Sequence, residues 1–307
     1  MRLATFLLEG SARIGVVDGD RISEITSHPD MLSLIEAGLK QLRTGKTHDL
    51  KAVKLLAPIP RPPRIRDFLC FELHVRQSRA NRYLFGMGTE RLDPGKIEIA
   101  KVWYERPVYY KGNPSSVVGH DAEVHWPSYS RIIDYELEIG LVMGRGGKNL
   151  SKANALEHVF GYTIFNDFSA RDEQYIEMQG QLGPAKGKDF DTGNSFGPWI
   201  TTADEIGDPQ GLEMIARVNG EIWSHGSSGT MKHTFADIVA YASLEETIYP
   251  GEILGSGTVG GGCGNELGRF MKHGDLIELE VGKIGVLRNR IVAPHVREAP
   301  QLPIRIL

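Results

Sequence analysis

Apolar and polar positions alternate along residues 131–143 of this 307-residue chain. Because successive side chains of a β-strand point to opposite faces, the alternation predicts a strand with one apolar face and one acidic face. The apolar positions are Tyr135, Leu137, Ile139 and Leu141. The acidic positions are Asp134, Glu136 and Glu138. Charged residues commonly line the solvated side of an antiparallel sheet, so this acidic face is either a wet surface or a binding site.

Other segments predict the rest of the architecture. Short strands with turns at Glu9-Gly10 and Asp18-Gly19 are expected within residues 2–25. A further strand is expected at 159–165, and residues 275–281 and 284–291 predict a terminal hairpin. Helical patterns fall at 31–42, 72–83, 170–179 and 234–244. Ser169 and Asp172 match a capping box at the start of the third helix. The order of these elements predicts an α+β, mostly β fold.

A proline-rich segment divides the chain. Residues 57–63 contain four prolines, a density typical of a stiff, extended linker. We therefore predict a small N-terminal β-rich domain over residues 1–60 and a larger catalytic domain over residues 61–307.

The composition is that of an ordinary globular protein, with 41% hydrophobic and 24% charged residues. Its net charge of -4 gives no reason to expect nucleic acid or a membrane as a partner. The two cysteines, Cys70 and Cys263, suit a reducing compartment better than a disulfide scaffold. No segment has the roughly 18 apolar residues of a spanning helix or the pattern of a secretory signal. The expected location is the cytoplasm.

Three carboxylates indicate a metal site. Glu136 and Glu138 share the acidic strand face, and Asp167 follows the predicted strand 159–165, where a loop presents it. Carboxylate oxygens are the preferred ligands of Mg²⁺, Mn²⁺ and Ca²⁺. Asp67, His74 and Lys188 are additional candidates. By themselves, such residues are more commonly a helix N-terminal charge, a structural histidine and a surface lysine.

Six segments, in order along the chain, resemble motifs of the fumarylacetoacetate hydrolase family. They are residues 67–74, 107–118, 135–138, 166–174, 187–191 and 255–268. The resemblance implies four metal ligands: Asp67, Glu136, Glu138 and Asp167. It implies catalytic roles for His74, Glu266 and Lys188. It implies substrate contacts from Tyr110, Arg171, Gln174, Thr258 and Arg82.

The same resemblance implies a fold and a reaction. The fold is a small N-terminal domain and a large catalytic domain built as a mixed β-roll, in a homodimer. The reaction is the metal-dependent hydrolysis of a carbon–carbon bond in a diketo acid of catabolism, an acylpyruvate or a fumarylacetoacetate-like compound. The expected cofactor is Mg²⁺ or Mn²⁺, with Ca²⁺ as a third choice. Glu266 orients His74, and His74 activates water. The variable loops 81–94, 179–187 and 224–232 are expected to form the acyl pocket.

Three departures from the family pattern accompany this resemblance. Lys188 lies one residue farther from Asp167 than in the best-known hydrolase. Leu69 stands where a tyrosine is expected. Arg82 lies one residue from the position of a substrate arginine.

Other functions are compatible with parts of the sequence. The same metal site serves oxaloacetate decarboxylation, hydration of an enoic keto acid and keto–enol isomerisation in related proteins. The His74–Glu266 pair favours hydrolysis, because decarboxylation needs no activated water. The glycines at 255, 257 and 260 match a dinucleotide fingerprint by spacing, but no helix-forming sequence follows them. A cysteine nucleophile and a non-catalytic binding role are the remaining alternatives.

Overall fold

The structure is a computed structural model that describes residues 1–295, 301–304 and 306. Its β-strands, in chain order, are β1 (Arg2–Leu8), β2 (Ser11–Asp18), β3 (Arg21–Ile25), β4 (Thr44–Asp49), β5 (Lys54–Leu55), β6 (Ile65–Phe68), β7 (Tyr109–Gly112), β8 (Val117–Val118), β9 (Glu123–His125), β10 (Ile133–Asp134), β11 (Leu137–Met143), β12 (Val159–Asp167), β13 (Ser169–Ala170), β14 (Asn194–Thr202), β15 (Glu213–Val218), β16 (Glu221–Ser227), β17 (Ile253–Gly255), β18 (Leu276–Val281) and β19 (Gly285–Val292). Its α-helices are α1 (Met31–Ala37), α2 (Glu72–Ala80), α3 (Lys101–Glu105), α4 (Arg171–Glu177), α5 (Ala203–Ile206), α6 (Phe235–Ala242) and α7 (Gly264–Leu267).

The strands form two large sheets and one short two-stranded pair, β10 with β13. The twelve-stranded sheet has the order β4-β3-β2-β1-β14-β12-β11-β17-β6-β7, with β5 beside β1 and β8 beside β14. The five-stranded sheet has the order β16-β15-β18-β19-β9. Most neighbours are antiparallel, but β17 with β6, β14 with β8 and β19 with β9 are parallel. The predicted mixed, mostly β fold is confirmed.

Strand β11 is buried on both faces, because a different layer covers each side of the large sheet. Its odd-numbered side chains, such as Ile139, pack in one core with Leu279 of β18 in the five-stranded sheet. On the opposite face, Val142 packs in a second core with Leu34 of α1 and with Phe165. Every residue of β11 is buried. The acidic face of the predicted strand is therefore not a wet surface.

The predicted strand 131–143 is interrupted where the site forms. Strand β10 ends at Asp134 and β11 begins at Leu137. Between them, Glu136 makes an isolated antiparallel bridge with Cys263. This break separates Glu136 from the regular strand that carries Glu138.

The N-terminal segment forms the predicted hairpins and also extends the large sheet. Strands β1, β2 and β3 pair in sequence, and β1 continues onto β14 through Arg2 opposite Thr201 and Leu3 opposite Ile200. The proline-rich segment is packed rather than free, because Ala57 and Ile59 are buried. A division into two domains at residue 60 stays a prediction.

The four predicted helices form, but each is shorter than its apolar pattern. The capping box predicted from Ser169 and Asp172 is wrong. Ser169 lies in β13 and donates to the carbonyl oxygen of Asp167, while Asp172 accepts from the hydroxyl of Ser130. Each side chain thus has a partner outside the first turn of the helix, and neither caps α4. No helix in the described part of the chain is long and apolar enough to cross a membrane.

Candidate active site

Four buried carboxylates meet where strands of the large sheet end. Asp67 comes from β6, Glu138 from β11 and Asp167 from the last position of β12, while Glu136 comes from the break before β11. One oxygen of each lies within 4.8 Å of the corresponding oxygens of the others. Gly255 of β17 lies between β6 and β11, and a side chain there would collide with the Asp67 carboxylate. The glycine is thus required for the approach of these strands.

Lys188 offsets part of the negative charge. Its ammonium nitrogen lies 2.5 Å from Oε2 of Glu136 and 2.6 Å from Oδ2 of Asp167. Burial lowers the pKa of Lys188, but the two carboxylates outweigh this effect and raise it above its ordinary value. Burial also favours the neutral form of Glu136, yet Lys188 and Arg171 lower its pKa to about 2. Glu136 is therefore ionised and paired with Lys188 and Arg171, whereas burial raises the pKa of Asp167 above its ordinary value in spite of Lys188.

The other half of the cluster lacks a comparable cation. Burial and the nearby Asp167 charge raise the pKa of Asp67 well above its ordinary value, and burial and Asp67 do the same for Glu138. Oδ1 of Asp67 and Oδ1 of Asp167 are buried without a hydrogen-bond partner among the described residues. Four clustered carboxylates, two of which have an oxygen without a hydrogen-bond partner, fit a hard divalent cation.

Thr258 and Gly257 hold Glu138 in place. The Thr258 hydroxyl donates to Oε1 at 3.2 Å, and the Gly257 N–H donates to Oε2 at 3.0 Å. Thr258 also lines the cavity described below. The structure therefore gives Thr258 a role in positioning a carboxylate, and its contact with substrate stays a prediction.

His74 and Glu266 form a buried pair beside the carboxylates. Nδ1 of His74 lies 3.1 Å from Oε2 of Glu266. The N–H groups of Gly261 and Cys263 donate to Glu266 at 2.8 and 3.1 Å, which fixes the carboxylate. With Nδ1 directed at Glu266, Nε2 is the ring nitrogen available to a molecule in the cavity. The arrangement is that of a base and its orienting carboxylate.

Arg171 is bound to protein groups instead of facing substrate freely. It donates to Asp134 at 2.7 and 3.0 Å, to Glu136 at 2.9 Å and to Oε1 of Gln174 at 2.8 Å. The bond to Gln174 leaves the amide nitrogen of that side chain as its donor end. Direct contact of Arg171 and Gln174 with substrate stays a prediction.

Asp134 is a site residue that our sequence interpretation left without a role. It is completely buried, accepts from Arg171, and also accepts the N–H groups of Gly264 and Asn265 at 2.7 and 2.9 Å. It thereby ties α7 to the arginine beside Glu136. The sequence feature that could have indicated this role is its position in the acidic alternation, two residues before Glu136.

Tyr110 and Arg82 differ in burial, since Tyr110 is half-buried and Arg82 is exposed. The Tyr110 hydroxyl donates to Oδ2 of Asp167 at 2.6 Å, so it supports a candidate ligand. Arg82 is exposed, belongs to the short 3₁₀ turn Arg82–Phe85 and lines the cavity. Both are within the same cavity lining. Their predicted substrate contacts remain predictions.

Of the site residues predicted from the sequence, all except Asp167 and Glu266 line one cavity of about 310 Å³. Its polar part carries the carboxylates with His74 and Lys188. Its apolar part is lined by Leu69, Val75, Val108, Met178 and Pro184. Leu69, which replaces an expected tyrosine, thus belongs to the apolar wall. Of the three predicted pocket loops, 81–94 and 179–187 contribute Arg82 and Pro184, whereas no residue of 224–232 lines the cavity.

Glu177 fixes the loop that carries Lys188, a role that our sequence interpretation missed. Its carboxylate accepts the N–H groups of Ala185, Lys186 and Gly187, each at 2.8 Å. A side chain at Gly187 would collide with the main chain of Gln174. The loop is therefore clamped against α4 immediately before Lys188.

Replacing Glu177 with glutamine is expected to loosen this clamp, because one of its two acceptor oxygens becomes a donor facing N–H groups. A misplacement of about 1 Å can cost about 10²-fold in rate, so we expect kcat to fall by about 10-fold. Steady-state kinetics measure the effect. Glu173→Gln, one turn earlier on α4, is the matched control. Equal kcat values for the two variants would contradict the clamp.

The alternative sites lack support in the fold. After β17 the chain forms a loop, and α7 has only four residues, so the glycines at 255–260 do not open a dinucleotide-binding helix. Gly257 instead packs against the backbone of Phe68 and Leu69. Cys70 and Cys263 are completely buried, and burial raises the pKa of each thiol well above its ordinary value. Neither has the character of an activated nucleophile.

Comparison with known proteins identifies the family of the chain. Residues 65–292 match the family model described as the fumarylacetoacetate hydrolase C-terminal domain. The chain belongs to the fumarylacetoacetate hydrolase family. Residues 1–58 match a separate model, the Rv2993c-like N-terminal domain. The protein is therefore an enzyme of this family.

Family relatives differ in their reactions. The human mitochondrial oxaloacetate tautomerase FAHD2A is 33% identical over 241 residues, which cover 78% of this chain and 70% of the relative. A 5-carboxymethyl-2-hydroxymuconate delta-isomerase from Mycobacterium smegmatis is 26% identical with a TM-score of 0.73, covering 95% of this chain and 99% of the isomerase. A Sphingobium maleylpyruvate hydrolase, solved with manganese(II) and pyruvate, is 25% identical with a TM-score of 0.71, covering 95% and 99%. Family membership thus leaves the reaction open.

Proposed function

We propose that the protein hydrolyses a carbon–carbon bond in a diketo acid of the acylpyruvate type. The observation that carries this proposal is the His74–Glu266 pair, which lies in the same buried region as the four carboxylates and beside a partly apolar cavity. A water-activating pair is needed for hydrolysis. The apolar wall suits the acyl chain of a diketo acid. A four-carbon oxo acid has no such chain to place against it.

Asp67, Glu136, Glu138 and Asp167 are the residues that would hold a divalent cation, with Mg²⁺ or Mn²⁺ proposed and Ca²⁺ the third choice. When bound, the cation supplies Lewis-acid polarisation of the substrate's oxygens. Tyr110, Thr258 and Lys188 keep three of these carboxylates in position through the hydrogen bonds described above.

His74 is the proposed general base. It takes a proton from water at Nε2 while Glu266, at Nδ1, stabilises the resulting imidazolium. The hydroxide adds to the distal carbonyl carbon, the carbon–carbon bond breaks, and the proton on His74 is available to the departing carbon. These steps balance without an oxidant or a second substrate.

Lys188 and Gln174 are the proposed donors to the oxyanion of the addition step. Two bonds of the ammonium go to Glu136 and Asp167, and its remaining contact is a weak one of 3.4 Å to a backbone oxygen. One N–H can therefore turn to substrate. The amide nitrogen of Gln174 is free of the Arg171 bond. A well-placed donor of this kind contributes about 3–4 kcal/mol to the transition state.

The test is an ultraviolet-monitored panel of acylpyruvates, fumarylpyruvate, fumarylacetoacetate and oxaloacetate, each with Mg²⁺, Mn²⁺ or EDTA. We expect cation-dependent loss of an acylpyruvate chromophore, with pyruvate and the free acid as products. Product analysis separates cleavage from isomerisation. Turnover of oxaloacetate alone, with no acid released from any diketo acid, would reject the hydrolase.

Keto–enol tautomerisation of oxaloacetate is the second candidate, favoured by the name of the human relative. His74 could move a proton between carbon and oxygen without adding water. The oxaloacetate arm of the panel measures this activity. Hydrogen–deuterium exchange at the methylene carbon of oxaloacetate, without cleavage of the substrate, would identify it. Oxaloacetate decarboxylation and hydration of an enoic keto acid would be recognised by their own products. The homodimer, the role in catabolism and the cytoplasmic location remain proposals.

A further inference from the structure

A second cluster of potential metal ligands adjoins the oxygen site. Ligand atoms of His74, Cys263 and Glu266 lie within 4.8 Å of one another, and all three residues are buried. The proposed reaction gives His74 and Glu266 roles but makes no use of the sulfur of Cys263. A sulfur, an imidazole nitrogen and a carboxylate oxygen form a donor set unlike the four carboxylates beside it.

Donor chemistry separates the two clusters by the cation that each prefers. Magnesium and calcium favour oxygen ligands, whereas thiolate and imidazole select zinc and similar transition metals. Three protein ligands with a fourth position open to a small molecule are a common zinc arrangement. We propose that His74, Cys263 and Glu266 bind a thiophilic divalent cation such as Zn²⁺, and that its binding inhibits the enzyme.

The local backbone already holds two of these ligands together. Cys263 forms the isolated bridge with Glu136 and stands immediately before α7, while its N–H donates to Oε2 of Glu266 at 3.1 Å. Gly261 fixes the second oxygen of Glu266 at 2.8 Å. His74 approaches from α2 and lines the cavity, which offers a route for the ion. Binding requires only the release of the thiol proton, with no redox change.

Inhibition follows from the competition for His74. Nδ1 is the ring nitrogen beside Glu266, and when it coordinates a cation the proton of the neutral ring lies on Nε2. Nε2 then cannot accept a proton from water, and Glu266 cannot orient the ring while it is a ligand itself. This consequence rests on the proposed function, whereas the metal site does not. Zinc inhibition is therefore expected even when the carboxylate site is saturated with Mg²⁺.

Cobalt absorption tests the site directly. We expect Co²⁺, added to the full chain in excess Mg²⁺, to produce a thiolate-to-metal absorption band in the near ultraviolet. Cys263→Ser should abolish the band, and Cys70→Ser should retain it. Cys70 is the matched control, since it is equally buried and lies on the Asp67 side of the carboxylates. A band that persists in Cys263→Ser, or disappears in Cys70→Ser, would overturn the proposal.

Activity and X-ray absorption complete the test. With Mg²⁺ present, and measured against the activity of the same variant without Zn²⁺, Cys263→Ser should raise the Zn²⁺ concentration for half-inhibition at least about 10-fold. An unchanged inhibition constant would mean that Zn²⁺ acts at the carboxylates and would reject the proposal. If Cys263→Ser does not fold, X-ray absorption of the zinc-loaded unaltered protein is the test. The proposal requires a sulfur atom at about 2.3 Å from the zinc. A cobalt band without turnover of any diketo acid would reject the hydrolase but support the site.

Discussion

Replacing His74 with glutamine is expected to lower kcat for diketo acid hydrolysis by about 10²–10⁴-fold, the contribution of a positioned general base. Glutamine keeps a polar side chain in the cavity but cannot take a proton from water. The affinity for Mn²⁺ should change little, because His74 is not among the four carboxylate ligands. Single-turnover kinetics and a Mn²⁺ titration measure the two effects separately.

A second histidine–glutamate pair supplies the control for this variant. His225 lies 2.8 Å from Glu213, but both side chains are exposed on the five-stranded sheet and neither lines the cavity. His225→Gln should therefore keep full activity. Near-normal hydrolysis by His74→Gln would remove the water-activation step from the proposed mechanism.

Replacing Glu138 with glutamine should separate metal binding from folding. Outer partners of metal ligands contribute about 10–100-fold to affinity, so losing a direct carboxylate should weaken Mn²⁺ binding by at least about 100-fold. The rise in melting temperature on adding Mn²⁺ should be largely lost. Thermal denaturation with EDTA or Mn²⁺ measures this difference.

The metal-free variant is expected to be at least as stable as the unaltered protein at neutral pH. The pKa of Glu138 is raised in the fold above its ordinary value of 4.5, chiefly by burial. Its protonated form therefore stabilises the fold below about pH 4.5, and that stability is lost as pH rises through the raised pKa. Glutamine stays neutral, so the advantage of Glu138→Gln in EDTA should grow with pH.

Glu252 provides the comparison for Glu138. It is also buried, with a pKa raised chiefly by burial, but its neighbours are Arg64 and Arg66 instead of other candidate ligands. Glu252→Gln should retain the full increase in melting temperature on adding Mn²⁺. A retained increase in Glu138→Gln as well would show that Glu138 is not a ligand.

Sequence spacing alone identified some of the site residues but not all of them. The acidic alternation identified Glu136 and Glu138, and Asp167 stands at a strand end as expected. Spacing alone could not assign Asp67 or Lys188, since both have common surface interpretations. Asp67 joins the site through the pairing of β6 with β17 and of β17 with β11, which are contacts distant in sequence. Lys188 joins it through the loop that Glu177 holds against α4.

Buried polar contacts account for most of the differences between prediction and structure. The predicted contact of Arg171 with substrate stays a prediction, and its hydrogen bonds to Asp134, Glu136 and Gln174 were not indicated by spacing. Glu177, to which the sequence analysis assigned no role, holds three backbone N–H groups. A buried donor or acceptor takes whichever partner the fold supplies, and that partner has no fixed separation along the chain.

The sequence by itself determined the strand-rich architecture, the N-terminal hairpins and the identity of the charged residues. Local periodicity and turn chemistry are encoded within a few positions, so they can be read directly. Only the tertiary structure decided that the acidic strand face is buried, that the strand breaks before Leu137, and that Cys263 lies beside His74. Those outcomes depend on which layers cover each face and on long-range strand pairing, where the free energy of burial outweighs local preference.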